Sequence, residues 1–156
     1  MNIYFNKRAR KGFTLIEILV VIGIIAVLAA VVLVAINPSR QFKLARDSQR
    51  VSNVNALLNA IGQNLAEHKG IFTCPSASTT IPTATTTIRS GIGGFDLAPC
   101  VVPAYISSLP FDPGIATASY VSAFQYDTGY TAFEDTDGRV TVSAVGEITS
   151  PISVTR

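Results

Sequence analysis

One continuous apolar segment dominates the hydrophobic pattern of this 156-residue chain. It covers residues 13–36, and only Thr14 and Glu17 interrupt it. A helix of this length rises about 36 Å at about 1.5 Å per residue, which is enough for a hydrocarbon layer of about 30 Å. The pattern therefore predicts a membrane-spanning helix, because a long core helix of a water-soluble domain would show a polar face.

The pattern becomes amphipathic after Asn37, and we expect a second helix, called the stem, over residues 37–69. Its apolar positions recur at intervals of three and four, and they are Val51, Val54, Leu58, Ile61 and Leu65. Pro38 cannot donate a helical hydrogen bond and predicts a kink in a continuous helix. The alternative is that the first helix ends there and a new one begins at Ser39.

The first turns of the stem carry several charged side chains, namely Lys43, Arg46, Asp47 and Arg50. We interpret them as a solvated face, with contacts to other protein chains as the alternative. The apolar stripe is expected to pack on the chain's own C-terminal region.

Residues 70–156 have the pattern of loops and strands. Alternating aromatic residues predict a first strand from Tyr120 to Tyr126, followed by a turn at residues 127–129 and a second strand to Glu134. A second turn at residues 135–138 precedes a third strand from Val140 to Ala144. An antiparallel meander packed on the stem would bury both apolar faces, so the predicted fold class is α+β.

Charge is distributed unevenly, although the net charge is only +2. The first twelve residues carry four basic side chains and no acid, whereas residues 13–156 carry eight basic and ten acidic ones. Basic residues directly before an apolar helix predict a cytoplasmic N-terminus and an exported C-terminus. The mild overall balance argues against direct nucleic-acid binding, which needs a concentrated basic face.

Cys74 and Cys100 are the two cysteines of the chain. In an exported domain they predict a disulfide, because a metal site would require three or four ligands. The single His68 is expected to be a solvated residue near the end of the stem, and no catalytic motif is present. The sequence therefore does not indicate an enzyme.

The string Lys11-Gly12-Phe13-Thr14-Leu15-Ile16-Glu17 resembles the cleavage signature of type IV prepilins and of type II secretion pseudopilins. The segment of residues 48–65 is also similar to the stem of such proteins. The resemblance implies a pilin-like lollipop: a removed leader over residues 1–12, a membrane and filament-core helix over 13–36, the stem over 37–69, and an exported head over 70–156.

The resemblance further implies that a prepilin peptidase cuts between Gly12 and Phe13 and methylates the new amine of Phe13. Glu17 would pair with this amine, its own or that of a neighbour, during assembly. Considered on physics alone, Glu17 is a carboxylate favoured by a helix N-terminus. The implied partners are further copies of the chain, other pilins, the peptidase, an inner-membrane assembly platform, and the membrane before assembly.

The segment Leu109-Pro110-Phe111-Asp112-Pro113 is similar to the major pseudopilin of type II secretion, a group that holds calcium in this region. Carboxylates of the appropriate type are Asp112, Asp127, Asp135 and Asp137. Acidic turn residues also commonly bond their own backbone, so cofactors are otherwise expected to be none.

Two functions agree with this pattern. The first is a structural subunit of a surface pilus, and the second is a pseudopilin of a periplasmic secretion apparatus. The cysteine-bounded, Thr-rich loop favours the displayed pilin.

Overall fold

The computed structural model describes residues 12–75 and 79–156. The predicted leader lies outside the described residues apart from Gly12, and so does the segment 76–78 of the Ser/Thr-rich loop. The chain divides into two compact units, Met1–Gln41 and Phe42–Arg156.

The first helix, α1, spans Leu15–Ile36 and buries none of its 22 residues. It is the one helix in the described part of the chain that is long and apolar enough to cross a membrane. Apolar side chains lie on all sides of it, and they are exposed, so nothing in the described part of its unit, residues 12–41, covers them. This is the arrangement of a helix that requires lipid or other protein around it.

The break between α1 and the second helix differs from the predicted kink. Asn37 adopts a left-handed conformation with φ of 47° and ends α1. The second helix, α2, spans Pro38–Glu67, and the Arg40 amide donates to Asn37 Oδ1 at 3.2 Å. The prediction of a continuous helix kinked at Pro38 is therefore wrong. Pro38 instead occupies the first turn of a new helix, where its missing N–H costs nothing.

Five strands form one antiparallel sheet: β1 Thr86–Arg89, β2 Ser119–Ser122, β3 Gln125–Glu134, β4 Val140–Ala144 and β5 Ile152–Thr155. The order across the sheet is β1-β3-β4-β5, and β2 pairs with the start of β3 on the side opposite β1, since Asp127 has partners in both strands. A short helix, α3, spans Ala98–Val101. A long apolar helix, a second helix and an antiparallel sheet confirm the α+β, pilin-like fold class.

The details of the meander differ from the prediction. The predicted first strand is a hairpin, because the chain reverses between β2 and β3 at Ala123 and Phe124. The predicted turn at residues 127–129 lies within β3, where the Gly129 amide donates to Asp127 Oδ1 at 2.9 Å. The register against β1 shifts at this place, so a bulge accommodates the turn-forming residues without ending the strand.

The core lies between α2 and the sheet. Val54, Leu57 and Ile61 are fully buried and belong to the same cluster as Tyr130 and Val142 of the sheet. Val51, predicted to lie in the apolar stripe, is 45% exposed instead. The buried face of α2 therefore includes Leu57 rather than Val51. It also contains buried polar residues, namely Asp47, Arg50, Asn53 and Asn64.

The predicted disulfide between Cys74 and Cys100 is confirmed. The buried Asn64 of α2 bonds the backbone beside both cysteines. It accepts from the Thr73 amide at 2.9 Å and donates to the Thr73 and Cys100 carbonyls at 2.8 and 3.3 Å. The stem thus fixes the loop at its closing end, and Gly70 with φ of 87° directs the chain from α2 into it.

Replacing both cysteines by serine should lower the free energy of unfolding by about 3 kcal/mol, because the bond closes a loop of 26 residues. Thermal unfolding of the purified chain in detergent, followed by circular dichroism, measures this change. Reduction of the wild-type chain is the matched control and should give the same shift. Identical midpoints for oxidised and reduced protein would contradict the stabilising role.

Candidate functional site

The backbone around the predicted cleavage point is open. Residues 12–14 precede α1 without regular structure, and the Phe13 side chain is 85% exposed. A Cβ added at Gly12 would meet no atom within 4 Å. Exposed, non-helical backbone is the form that proteases cut, so the Gly12–Phe13 bond is accessible in the folded subunit.

Thr14 and Glu17 form a reciprocal cap at the start of α1. The Glu17 carboxylate accepts from the Thr14 amide at 2.7 Å and from the Thr14 hydroxyl at 2.8 Å. The Glu17 amide donates back to Thr14 Oγ1 at 3.3 Å. The Thr-x-x-Glu spacing before an apolar run is a sequence signal for this capping box, and it adds a role for Thr14 to the one predicted for Glu17.

Within a single subunit, the cap keeps the Glu17 carboxylate hydrogen-bonded to Thr14. Its carboxylate is hydrogen-bonded at a helix N-terminus, where the helix dipole favours negative charge. Glu17 is also the only acidic residue among the first 46 of the chain. An amine created at Phe13 would therefore find its one nearby counter-charge in Glu17. The pairing itself stays a prediction.

A second group of polar residues joins α2 to the rest of its unit. We call it the Arg50 cluster, and it consists of Arg46, Asp47, Arg50, Asp112 and Glu147. The Arg50 guanidinium is 2% exposed and donates to both Asp112 oxygens at 2.7 and 2.8 Å. It also donates to Asp47 at 2.7 Å and to Glu147 at 3.1 Å. The predicted solvated face of the stem is therefore wrong at Asp47 and Arg50.

Asp47 binds the loop between β4 and β5 through the backbone. Its carboxylate accepts from the amides of Glu147, Ile148 and Thr149 at 2.9, 2.8 and 3.1 Å. Arg46 reaches the same loop with a bidentate pair to Glu147 at 2.6 and 2.7 Å. The first turns of α2 within this unit are thus tied to a loop that lies about a hundred residues later.

These contacts favour the ionised carboxylates. The pKa of Asp47 lies well below its ordinary value, first because of the Glu147 amide and then because of the neighbouring amides and Arg50. The Arg46 hydrogen bonds lower the pKa of Glu147 to about 2. Burial opposes ionisation of Asp112 most strongly, but Arg50 and the Gly114 amide together lower its pKa.

The four calcium candidates do not meet at one place. Asp112 is bound to Arg50, and Asp127 bonds the backbone of Gly129. Asp135 and Asp137 share one turn and both contact Arg139. Across residues 12–75 and 79–156, no three His, Cys, Asp or Glu side chains are grouped to share a metal ion. These carboxylates do not form a donor set as placed, and calcium binding stays a prediction.

The Arg50 cluster should make stability fall with acid. Unfolded carboxyl groups have pKa values near 4, above those in the fold, so the unfolded chain binds more protons as the pH falls. The contribution is complete above about pH 5 and is lost as the pH falls toward 2. Arg50→Gln should lower the free energy of unfolding at pH 7 by about 3 kcal/mol and flatten this dependence, because it leaves buried charge unpaired.

Urea unfolding of the full chain in detergent between pH 3 and 7 tests this prediction. Arg139→Gln is the matched control, because Arg139 also pairs with two carboxylates but is exposed. It should change stability by less than about 1 kcal/mol. Equal effects of the two variants would contradict the role of the buried cluster.

Comparison with known proteins agrees with this geometry. Residues 7–33 match the family described as the prokaryotic N-terminal methylation motif. The chain is 37% identical over 78 residues to the prepilin peptidase-dependent protein D of Escherichia coli strain K12, covering 50% of this chain and 52% of that protein. The chain thus spans about half the length of this curated relative, and no solved structure matches it significantly. The predicted resemblance to prepilins and pseudopilins is confirmed: the chain carries a prepilin-type N-terminal methylation motif.

Proposed function

We propose that this protein is a prepilin, a structural subunit of a type IV pilus-like filament. A prepilin peptidase removes residues 1–12 and methylates the amine of Phe13, and the subunits assemble through α1. The observation that supports this most is α1 itself: all of its 22 residues except Glu17 are apolar and none is buried, and an accessible Gly12–Phe13 bond precedes it.

Assembly explains why a carboxylate lies at the start of an otherwise apolar helix. In the filament core α1 is surrounded by other copies, and an unpaired charge there would cost several kcal/mol. Cleavage creates an amine one residue before the Thr14 cap. A neighbouring subunit in the correct stagger brings this amine to Glu17, whereas a wrong stagger leaves the charge unmatched. Glu17 thus selects the register that the apolar surface alone cannot specify.

The subunit is placed in the inner membrane before assembly, with a cytoplasmic N-terminus, a single span and an exported head, and an assembly platform then extracts it. The final location is an extracellular pilus. The head is held together by a disulfide and internal ion pairs, which suits a displayed surface. A pseudopilin of a type II secretion system is the second candidate, favoured by the Leu109–Pro113 segment.

Glu17→Ala should be cleaved normally but yield at least tenfold fewer filaments, because it removes the counter-charge and leaves the scissile bond intact. Gly12→Val should block cleavage, because a branched side chain crowds the bond. Immunoblots of leader removal and electron microscopy of sheared filaments read the two steps separately.

Glu67→Ala is the control, because it removes an exposed carboxylate that does not belong to α1 and should leave both steps unchanged. Wild-type filament yield from Glu17→Ala would overturn the assembly role. Loss of secretion with intact surface fibres, in a strain lacking the gene, would favour the pseudopilin.

A further inference from the structure

Exposed apolar side chains lie around the Arg50 cluster, at the end of the second unit where α2 begins. They come from three separate parts of the chain: Phe42 on α2, Phe111 and Ile115 in the loop before β2, and Val145 and Ile148 in the loop between β4 and β5. Phe42 and Val145 are the most exposed of them, at 64% and 73%. We call these five residues the apolar rim.

The ion pairs of Arg50 hold the two loops of the rim together. Arg50 pairs with Asp112 in the first loop and with Glu147 in the second. Each of these carboxylates has an apolar neighbour in the chain, Phe111 for Asp112 and Ile148 for Glu147. The apolar residues of both loops therefore flank the same ion pairs.

Phe42 extends this surface toward the start of α2. It lies four residues before Arg46, so the two side chains share one face of the helix. Arg46 donates to Glu147 at 2.6 and 2.7 Å, which places that face beside the loop between β4 and β5. The rim therefore continues from the two loops onto the first turns of α2.

The charges beside the rim do not oppose contact with lipid. The three carboxylates of the Arg50 cluster are each paired with Arg46 or Arg50. Lys43 is exposed directly after Phe42 and adds a third base, so basic and acidic groups balance here. Apolar side chains enter the boundary between headgroups and acyl chains, and lysine is attracted to anionic headgroups. The surface therefore has the chemistry of a bilayer contact.

The chain itself keeps the rim close to any bilayer that α1 spans. Only Asn37 separates α1 from α2, and Phe42 lies four residues, or about 6 Å, beyond Pro38 along the α2 axis. The headgroup layer on each side of the hydrocarbon core is about 5–8 Å thick. Because Asn37 ends the hydrogen-bond ladder of α1, α2 is free to incline and bring Phe42 and the neighbouring loops into this layer.

We propose that the apolar rim inserts into the headgroup layer of the bilayer that α1 spans, on its exported side. This inference rests on the membrane stage of the proposed function and adds a second attachment to that of α1. Lys43 contacts lipid phosphates, while the apolar side chains reach the boundary with the acyl chains. A subunit that leaves the membrane for a filament must then withdraw both α1 and the rim.

Tryptophan fluorescence in vesicles tests this contact, because the chain has no tryptophan of its own. The full chain carrying Ile148→Trp is reconstituted in phosphatidylcholine and phosphatidylglycerol vesicles whose acyl chains are brominated, since bromine quenches only nearby tryptophan. At least half of the emission should be lost relative to vesicles without bromine. Ile71→Trp is the matched control and should lose less than a tenth, because Ile71 is also exposed but follows the opposite end of α2.

A charged substitution tests whether apolar contact causes the quenching. Val145→Glu, added to the Ile148→Trp chain, should reduce quenching at least threefold, because a carboxylate is disfavoured at the acyl boundary. Thr136→Glu in the exposed turn between β3 and β4 is the control and should leave quenching unchanged. Equal unfolding midpoints of the two variants show that the fold is retained.

The outcomes separate lipid contact from contact between copies. Ile148→Trp that is quenched no more than Ile71→Trp overturns rim insertion. Emission at residue 148 that is shifted to the blue but not quenched by bromine, and that returns to the red as the chain is diluted in lipid, indicates a second copy at the rim. That result overturns the proposal as well.

A third reporter separates this inference from the proposed function. Val27→Trp lies within α1 and reports the membrane span itself. Quenching at residue 27 without quenching at residue 148 overturns rim insertion and leaves the proposed function standing. Absence of quenching at both positions overturns both.

Discussion

Arg50 places one positive charge in the interior of the second unit, and the packing of that unit depends on how this charge is matched. A buried ion without partners costs several kcal/mol. Arg50 meets Asp47 on its own helix, Asp112 in the loop before β2, and Glu147 in the loop between β4 and β5. Three parts of the chain are thereby held at one point, and each must be in place for the charge to be satisfied. Apolar packing stabilises the unit but does not specify which loops contact α2, whereas the ion pairs of Arg50 do.

The two units differ in whether their apolar side chains are covered. The second unit covers its apolar side chains by packing α2 on the sheet, and each buried side-chain polar atom in the described residues has a partner. Helix α1 covers none of its apolar residues and carries its polar groups at the N-terminal end. The stability of α1 therefore depends on what surrounds it, which is first lipid and then, in the proposed filament, other copies of the chain.

The elements with strong local signals could be predicted from the sequence. The run at 13–36, the stem, the turn at Asp135 and the strand β4 follow from periodicity and turn chemistry alone. The two ends of the sheet could not, because β1 and β5 are four-residue strands whose pairing depends on distant partners. Gly129 reads as a turn residue, and only the pairing with β1 shows that it lies in a bulge.

The ion pairs of the stem could not be predicted, for a related reason. Helical spacing places Asp47 and Arg50 on one face, but whether that face is wet or buried depends on loops about sixty and a hundred residues away. The N-terminal site could be predicted more fully, because the residues of the cleavage signature and of the capping box are adjacent in the sequence. The structure adds the Thr14 hydroxyl to that site, and the spacing of Thr14 to Glu17 is itself a sequence signal.

The binding of residues 147–149 by Asp47 also determines when the second unit can finish folding. A chain is synthesised from its N-terminus, so α2 emerges with Asp47 and Arg50 still lacking their distant partners. Contacts over about a hundred residues must close a long loop, and such closure is slow and occurs late. The stem therefore remains incomplete until residue 147 has been made, and a chain interrupted earlier exposes an unsatisfied charge and an open apolar face. The contact that secures the completed head is therefore one that every chain ending before residue 147 lacks.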